Sequence, residues 1–483
     1  VYGTLGMAVE PLKTYLTKNS RAALALLFAA VVMVLGIACV NVANLLLGQA
    51  VQRRHEFAVR MAVGSGRDRL LRQVLLESIM LGLGGAAVAG LLTWILLGPI
   101  RSAAATLPRA SAVVLDWQVL FFGGVVGLIA GAAFGLLPAF SSLESADRGL
   151  RLGGRVTSRH GVRRALVVAE VALASVLVLG AVFLTKGMKQ VLAVDPGFTS
   201  DGLVTASIQA AGPGFATDSA TWQYWRDVRE TVAALPGVTS AALVSQLPMG
   251  GNQDSYGVRS ESRARIDPRD AVSADRYAVT PDYFVTMRIP LRSGRYLNAA
   301  DRAGGDPVVV VSETLARVYF GGSDPLGERV MVGGGEGQPW RTVVGVVGDV
   351  RHRGLDQPGS PQIYLPTDQW IFSDGSMDLV ARTGGKAAAL VTPIRTAIRK
   401  LHADPTIEGV RPVTAVIGNA LAKRRLVLTL FGAFALLSLT LAAIGIYGVM
   451  ASGVAERSRE LGVRAALGAS AAVLRRSVLR ESL

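Results

Sequence analysis

Polar side chains inside apolar runs are the first place to look for chemistry. Asn41 and Asn44 stand one helical turn apart near the end of one such run, and Glu170 stands about a turn and a half into another. Intramembrane groups of this kind default to an ion or proton path. A path would need carboxylates nearer the midplane on several spans, and the runs carry none. The reading that remains is interhelical hydrogen bonding and snorkelling, with Glu170 in reach of the Arg163–Arg164 pair. Other chemistries have less support. No G-x-x-x-x-G-K-[ST] occurs, and Gly384-Gly385-Lys386 runs on into Ala387, so no loop cradles phosphate. His55, His160, His352 and His402 have no Cys or carboxylate at ligand spacing, which argues against a metal site. Ser245 and Ser312 lack a G-x-S-x-G frame. No catalytic, cofactor-binding or metal-ligating residue is assigned.

The elements that would position these groups are membrane helices. Hydrophobic residues make up 51% of the chain and charged residues only 18%, too apolar for an ordinary soluble protein. The excess lies in five runs, Ala22–Gly48, Val74–Pro99, Trp117–Phe140, Ala165–Thr185 and Leu426–Val454. Each is long enough as a helix to cross about 30 Å of hydrocarbon, and a backbone in lipid must satisfy its own hydrogen bonds. The net charge of +15 would suit nucleic acid, but its distribution does not. Arginines crowd the loops after the first and third runs, whereas the loop after the second holds only Arg101 and Arg109. Positive-inside asymmetry puts the Arg-rich loops in the cytoplasm and the 187–423 segment outside. The one cysteine, Cys39, lies in the first run, so the outer segment folds without disulfides.

One of those Arg-rich loops occurs twice. Residues 53–78 align without a gap to 457–482, an offset of 404, with 12 of 26 positions identical. Arg53/Arg457, Glu56/Glu460, Val59/Val463, Arg60/Arg464, Gly64/Gly468 and Arg72/Arg476 coincide. Each copy follows an apolar run, so the repeating unit is a span plus a basic loop. Glu56 and Arg60 form an i,i+4 pair on a short helix, Gly64 breaks it, and Leu70–Glu77 restarts the chain toward the next span. Helix–glycine–helix at a membrane surface suits docking against a cytoplasmic partner. Duplication of the detailed pattern, beyond its charge, favours docking over a loop that only touches anionic lipid. Small residues at four-residue intervals, Gly82, Ala86 and Gly90 on the second run and Gly123, Gly127, Gly131 and Gly135 on the third, predict close helix packing.

These features divide the chain. Residues 1–20 resemble the tail of an outer segment; 21–140 is a first membrane unit of three spans; 141–163, rich in Ser, Gly and Arg, is a cytoplasmic linker. A span at 164–186 opens the second unit, 187–423 forms the outer domain, and 424–483 is a second, shortened membrane unit. Within the outer domain, 203–210 and 238–245 read as strands around a helix at Thr221–Leu235 whose apolar face holds Trp222, Trp225, Val228 and Val232. Strand, helix and strand recur at Met377–Arg382, Lys386–Leu401 and Ile407–Val413. Two separated β-α-β units predict a split ferredoxin-like layer, with 246–376 as a strand-rich lobe containing a short helix at Glu313–Phe320.

Residues 37–82 (IACVNVANLLLGQAVQRRHEFAVRMAVGSGRDRLLRQVLLESIMLG) resemble the FtsX-like permease domain of MacB-type ABC transporters, whose loop runs roughly E-[FIL]-[AG]-V-R-x-A-[LV]-G-[AS]. ERSRELGVRAALGAS (456–470) is similar to that pattern too. VDPGF (194–198), YFVTMRIPLRSGRYL (283–297), ETLARVYFGGSDPLGERV (313–330) and VVGVVGDVRHRGLDQPGSPQIYLP (343–366) resemble the MacB-type periplasmic core domain. Two permease units in one chain resemble the duplicated, ADOP-like orphan permeases, and the sequence reads as a fragment of such a protein. The fold implied is a five-span helical bundle plus an α+β outer domain. The resemblance further implies a multi-pass bacterial inner-membrane permease that binds no cofactor itself. ATP sits on a separate cytoplasmic ABC ATPase, which engages the two loops. An adaptor or outer-membrane duct is a possible further partner, and nucleic acid is not one. Cargo would be amphiphilic, exported or extracted by motion relayed through the bilayer. The alternative is an FtsX-like regulator relaying ATPase state to an outer enzyme.

Overall fold

In the computed structural model the residues described are 11–52, 59–60, 63, 67–103, 114, 116–129, 157–262, 272–333, 338–401, 406–456, 462–464, 466–470 and 473. They fall into two compact units, one formed by 1–188 with 423–483 and the other by 189–422.

The first unit is helical. Helices α1 (Leu12–Gln52), α2 (Arg67–Ala103), α3 (Trp117–Ile129), α4 (Thr157–Leu192) and, after the outer unit, α10 (Ala422–Glu456) account for its regular structure. Four of them, over Arg21–Leu45, Leu75–Ser102, Arg164–Leu192 and Ala422–Ala451, are long and apolar enough to cross a membrane, where the sequence predicts five. The difference lies at α3. Its described part is 13 residues, about 20 Å at 1.5 Å per residue, and the rest of the expected run, 130–140, lies outside the described residues. Large apolar side chains such as Phe28, Trp94, Phe121 and Phe183 are exposed on these helices, as lipid-facing surfaces require. The buried interior is a seam among α1, α4 and α10, made by Ala30 and Ile37, Ala174 and Leu177, and Phe431, Ala435 and Ala442.

The second unit is α+β. Strands β1 (Leu203–Gln209), β2 (Val238–Val244), β10 (Ser376–Thr383) and β11 (Thr406–Pro412) form an antiparallel layer in the order β11-β1-β10-β2. Helices α5 (Asp218–Ala233) and α8 (Val391–Leu401) cover one face. Two β-α-β units separated in the chain are thus interleaved in one sheet, the arrangement their spacing predicts. Thr217 caps α5 by accepting from the Ala220 amide at 3.3 Å, and the helix begins earlier than expected. Tyr224, Trp225, Val228 and Val232 form its buried face; Trp222 sits at the edge, because Tyr224 completes the i, i+4, i+8 stripe with Val228 and Val232. The 3₁₀ turn Ala387–Leu390 shortens the second helix at its start.

The intervening lobe closes on itself. Strands β3 (Ser255–Ser260), β4 (Val272–Val279), β6 (Val308–Ser312), β7 (Arg329–Val332), β8 (Arg341–Val347) and β9 (Gln362–Pro366) pair in the ring β4-β3-β7-β8-β6-β9. The parallel pairing of β9 with β4, from Asp275–Gln362 to Val279–Pro366, completes it. A closed barrel is not evident from alternation alone, since it depends on which edges meet. Its core holds Val309, Val311, Val330, Val343, Ile363 and Leu365, plugged at one side by α7 (Glu313–Phe320) through Leu315, Tyr319 and Phe320. Short strand β5 (Leu291–Gly294) flanks β8, and short helices α6 (Tyr283–Met287) and α9 (Val413–Ala420) fill the remaining connections. Layer and barrel share one ladder contact, Val244 to Val279.

Candidate functional site

Among the described residues of the duplicated loop, one hydrogen bond recurs in both copies. In the first, the Val63 amide donates to the Val59 carbonyl at 3.0 Å; in the second, the equivalent Leu467 amide donates to the Val463 carbonyl at 3.0 Å. The helix then stops at Gly468, whose φ is +94°, and the Ala469 amide reaches back to the Arg464 carbonyl at 3.0 Å. This is a Schellman-type end, in which a glycine takes the left-handed position without a Cβ penalty. Val59 and Val463 are exposed, and Val63 and Leu467, at the tips, are each 83% exposed. Each copy thus presents a helical turn with an outward apolar tip beside an exposed arginine, Arg60 or Arg464. Burying one such tip against a protein contributes about 1.5–3 kcal/mol. Arg60 Nη1 donates to Gln73 Oε1 at 3.1 Å, and Gln73 Nε2 donates to Glu77 Oε1 at 3.1 Å, which ties the first turn to the start of α2. Arg72 is exposed on α2. Arg53, Glu56, Gly64, Arg457, Glu460 and Arg476 lie outside the described residues, and with them the Glu56–Arg60 pair.

The packing glycines divide. Gly127 of α3 sits against Gly82 and Ala86 of α2, where an added Cβ would stand 3.4 Å from the Gly82 carbonyl and 3.5 Å from the Ala86 methyl. Gly90 faces Leu120 at 3.4 Å, Gly123 faces open space, and Gly131 and Gly135 lie outside the described residues. Sequence reasoning did not single out four other glycines that shape the α1–α4–α10 seam. Gly36 lies under Leu173, Gly180 under the Phe431 ring, Gly448 under Leu45, and Gly445 under a polar pair.

That pair corrects the expectation for Glu170. Its side chain is wholly buried, whereas Arg164 is exposed on the same helix, so the carboxylate does not snorkel toward Arg164; the side chain of Arg163 lies outside those described. It turns into the seam, where the missing Cβ of Gly445 leaves room. An added Cβ there would stand inside 3.0 Å of Asn41 Oδ1 and of both Glu170 oxygens. Asn41 Nδ2 donates to the Leu441 carbonyl of α10 at 2.8 Å. Among the described residues, Asn41 Oδ1, both Glu170 oxygens and both amide atoms of buried Asn44 have no partner at hydrogen-bonding geometry. Asn41 and Glu170 therefore come together, at a glycine of a third helix, α10, which lies far along the chain.

The outer unit buries its charges differently. Arg276, 2% exposed, donates through Nε to Asp254 at 2.7 Å and through Nη2 to Asp374 at 2.6 Å, under the Trp370 ring at 4.8 Å. His352 is held between the Tyr277 hydroxyl at 2.6 Å and the Asn252 carbonyl at 2.8 Å. Among the described residues no group of three or more His, Cys, Asp or Glu is placed to hold a metal. These networks hold the fold of the outer unit together.

Comparison with known proteins finds two family models in this chain. Residues 165–397 match the MacB-like periplasmic core domain, and residues 28–145 match the FtsX-like permease C-terminal domain. The chain is 24% identical over 294 residues to the uncharacterized ABC transporter permease YknZ of Bacillus subtilis (strain 168), covering 56% of this chain and 69% of that protein. It is 26% identical over 276 residues to the macrolide export ATP-binding/permease protein MacB of Azoarcus sp. (strain BH72), covering 53% of this chain but only 39% of that protein. Among solved structures, the periplasmic region of MacB from Actinobacillus actinomycetemcomitans aligns over 47% of this chain and 95% of its own, with 16% identity and a TM-score of 0.32.

Proposed function

We propose, from the premise that this chain is a MacB/FtsX-like ABC transporter permease, that it transmits the motion of a separate ATPase across the membrane to its outer unit. The observation that carries this is the repeated turn, 59–63 and 463–467, with the same hydrogen bond and the same outward apolar tip. Two like footholds suit two like faces, as an ATPase that closes as a symmetric pair would present. ATP stays on that partner, and this chain supplies no phosphate-binding loop. With the arginine-rich loops inside, the chain sits in a bacterial inner membrane and holds the 187–423 domain outside. The described seam is filled by side chains rather than lined as a pore, which favours relay of motion over passage of cargo between these helices. A relative named for macrolide export supports an amphiphilic cargo taken up at the outer unit.

The test is coupling. Proline at Val59 and Val463 removes a helical turn in each foothold, and Arg60→Glu with Arg464→Glu reverses the adjoining charge. Both double variants are expected to insert normally and to lose stimulation of the partner ATPase and cargo movement by at least tenfold. Full coupled activity in either would reduce the loops to topology signals. Recovery of a wall hydrolase rather than a duct or adaptor on the outer unit would favour the regulator mechanism over export.

A further inference from the structure

The offset of 404 that aligns the two loops also aligns the spans before them, and no gap intervenes because α1 and α10 are each continuous. Carried upstream, it sets Asn41 against Gly445, Asn44 against Gly448 and Ile37 against Leu441. The structure brings one equivalent pair, Asn41 and Gly445, together. Asn41 fills the space beside Gly445 and bonds the Leu441 carbonyl, and Leu45 packs one turn further along at 3.8 Å from a Cβ built on Gly448. The two equivalent helices thus run parallel and meet at matching depth, as two subunits meet around a two-fold axis. On such an axis a residue of a homodimer meets its own copy. Asparagine meeting asparagine would leave no notch, since even a methyl group at 445 would collide with Asn41 and Glu170.

We infer that this seam is a heterotypic lock that pairs the chain's two permease copies with each other, Asn41 and Glu170 being the insert and Gly445 the notch, so that one chain takes the place of two in the relay. The inference rests on the permease reading, but its test does not need an ATPase. Three acceptor oxygens, Asn41 Oδ1 and the two of Glu170, surround the notch, and among the described residues they meet no donor at strict hydrogen-bonding geometry. The contact closes when position 170 donates to Asn41 Oδ1, as a protonated carboxyl or an amide does. Glu170 is here a positioning residue, and a glutamine preserves its role.

The experiment uses the full-length protein in its membrane, with Cys39→Ser, Leu45→Cys and Gly448→Cys, a short bifunctional thiol reagent, and two co-expressed copies carrying different tags. Cross-linking is expected within one chain, with no product joining the tags. Gly445→Asn is expected to cut the intrachain product at least tenfold. The exchange Asn41→Gly with Gly445→Asn returns the amide from the other helix and is expected to restore at least half, which shows that loss in the single variant is not mere misfolding. Glu170→Gln is expected to retain the product, and Glu170→Ala to lose it. Cross-links joining the two tags, an undiminished product in Gly445→Asn, or failure of the exchange to restore would each overturn the lock. None of these results would touch the coupling proposal, whose readout is ATPase stimulation.

Discussion

Two regions of the repeat differ in kind within one chain. The loops, 53–78 and 457–482, share 12 of 26 positions and one hydrogen bond of a turn, whereas at the core of the spans before them one copy carries Asn41 and Asn44 where the other carries Gly445 and Gly448. Surfaces that face two like partners gain by staying alike. Surfaces that face each other gain by becoming complementary, because a bulky polar residue can be buried only where its neighbour yields the space. Under the proposed relay and lock, likeness in the loops and difference in the seam have one cause, two copies working about one axis.

The strongest way to break the comparison is to make the spans alike. Gly445→Asn with Gly448→Asn gives both copies the same residues, and membrane-inserted protein is expected to lose its single-chain assembly, seen as loss of a monodisperse peak in detergent. Retention of that peak would mean that complementarity at the spans is incidental.

The outer unit supplies a contrast at Arg276, whose buried charge is paired within one copy. Arg276→Ala leaves Asp254 and Asp374 without their cation and removes the group stacked on Trp370. It should destabilise the outer unit by about 3 kcal/mol while leaving the α1–α10 cross-link unchanged. Thermal unfolding followed by tryptophan fluorescence measures the first effect.

A smaller effect concerns Asp378 on β10, which accepts from the Leu247 amide at 3.0 Å. Burial pushes its carboxyl up from 3.8 to about 6, against the opposing pull of the hydrogen bonds from Ser207 and Leu247. A folded value above the unfolded one means that the native state binds the proton more tightly. The stability it contributes is therefore greatest below about pH 4 and falls as pH rises toward 6, then stays flat. Asp378→Asn is expected to remove that slope, by on the order of 2 kcal/mol across the window. A denaturant series from pH 4 to pH 7 on both proteins checks it, and parallel curves would refute it.

The smallest expected effect sharpens the loop side. Replacing 53–64 with the residues of 457–468 should change ATPase stimulation less than twofold, because the two turns present the same backbone bond and a similar apolar tip. A tenfold loss would show that the two footholds serve different faces.

Much of this protein is written locally in its residues. Hydropathy and the lipid requirement for internal hydrogen bonding determine the long helices. Period-two and period-3.6 patterns locate the β-α-β units to within a few residues, and Ser312, which accepts from the Leu315 amide at 3.2 Å, marks the start of the Glu313–Phe320 helix. The repeat marks the footholds without any coordinates. What local pattern leaves open is which edges and faces meet. The barrel closes only because β9 finds β4, a parallel pairing of segments some ninety residues apart that no alternation encodes. Glu170 lies in the seam rather than at the arginines because Gly445, 275 residues further on, lacks a side chain. A residue's type limits what it can bond. Where it points is decided by the space its neighbours leave, and that space exists only once distant helices have packed.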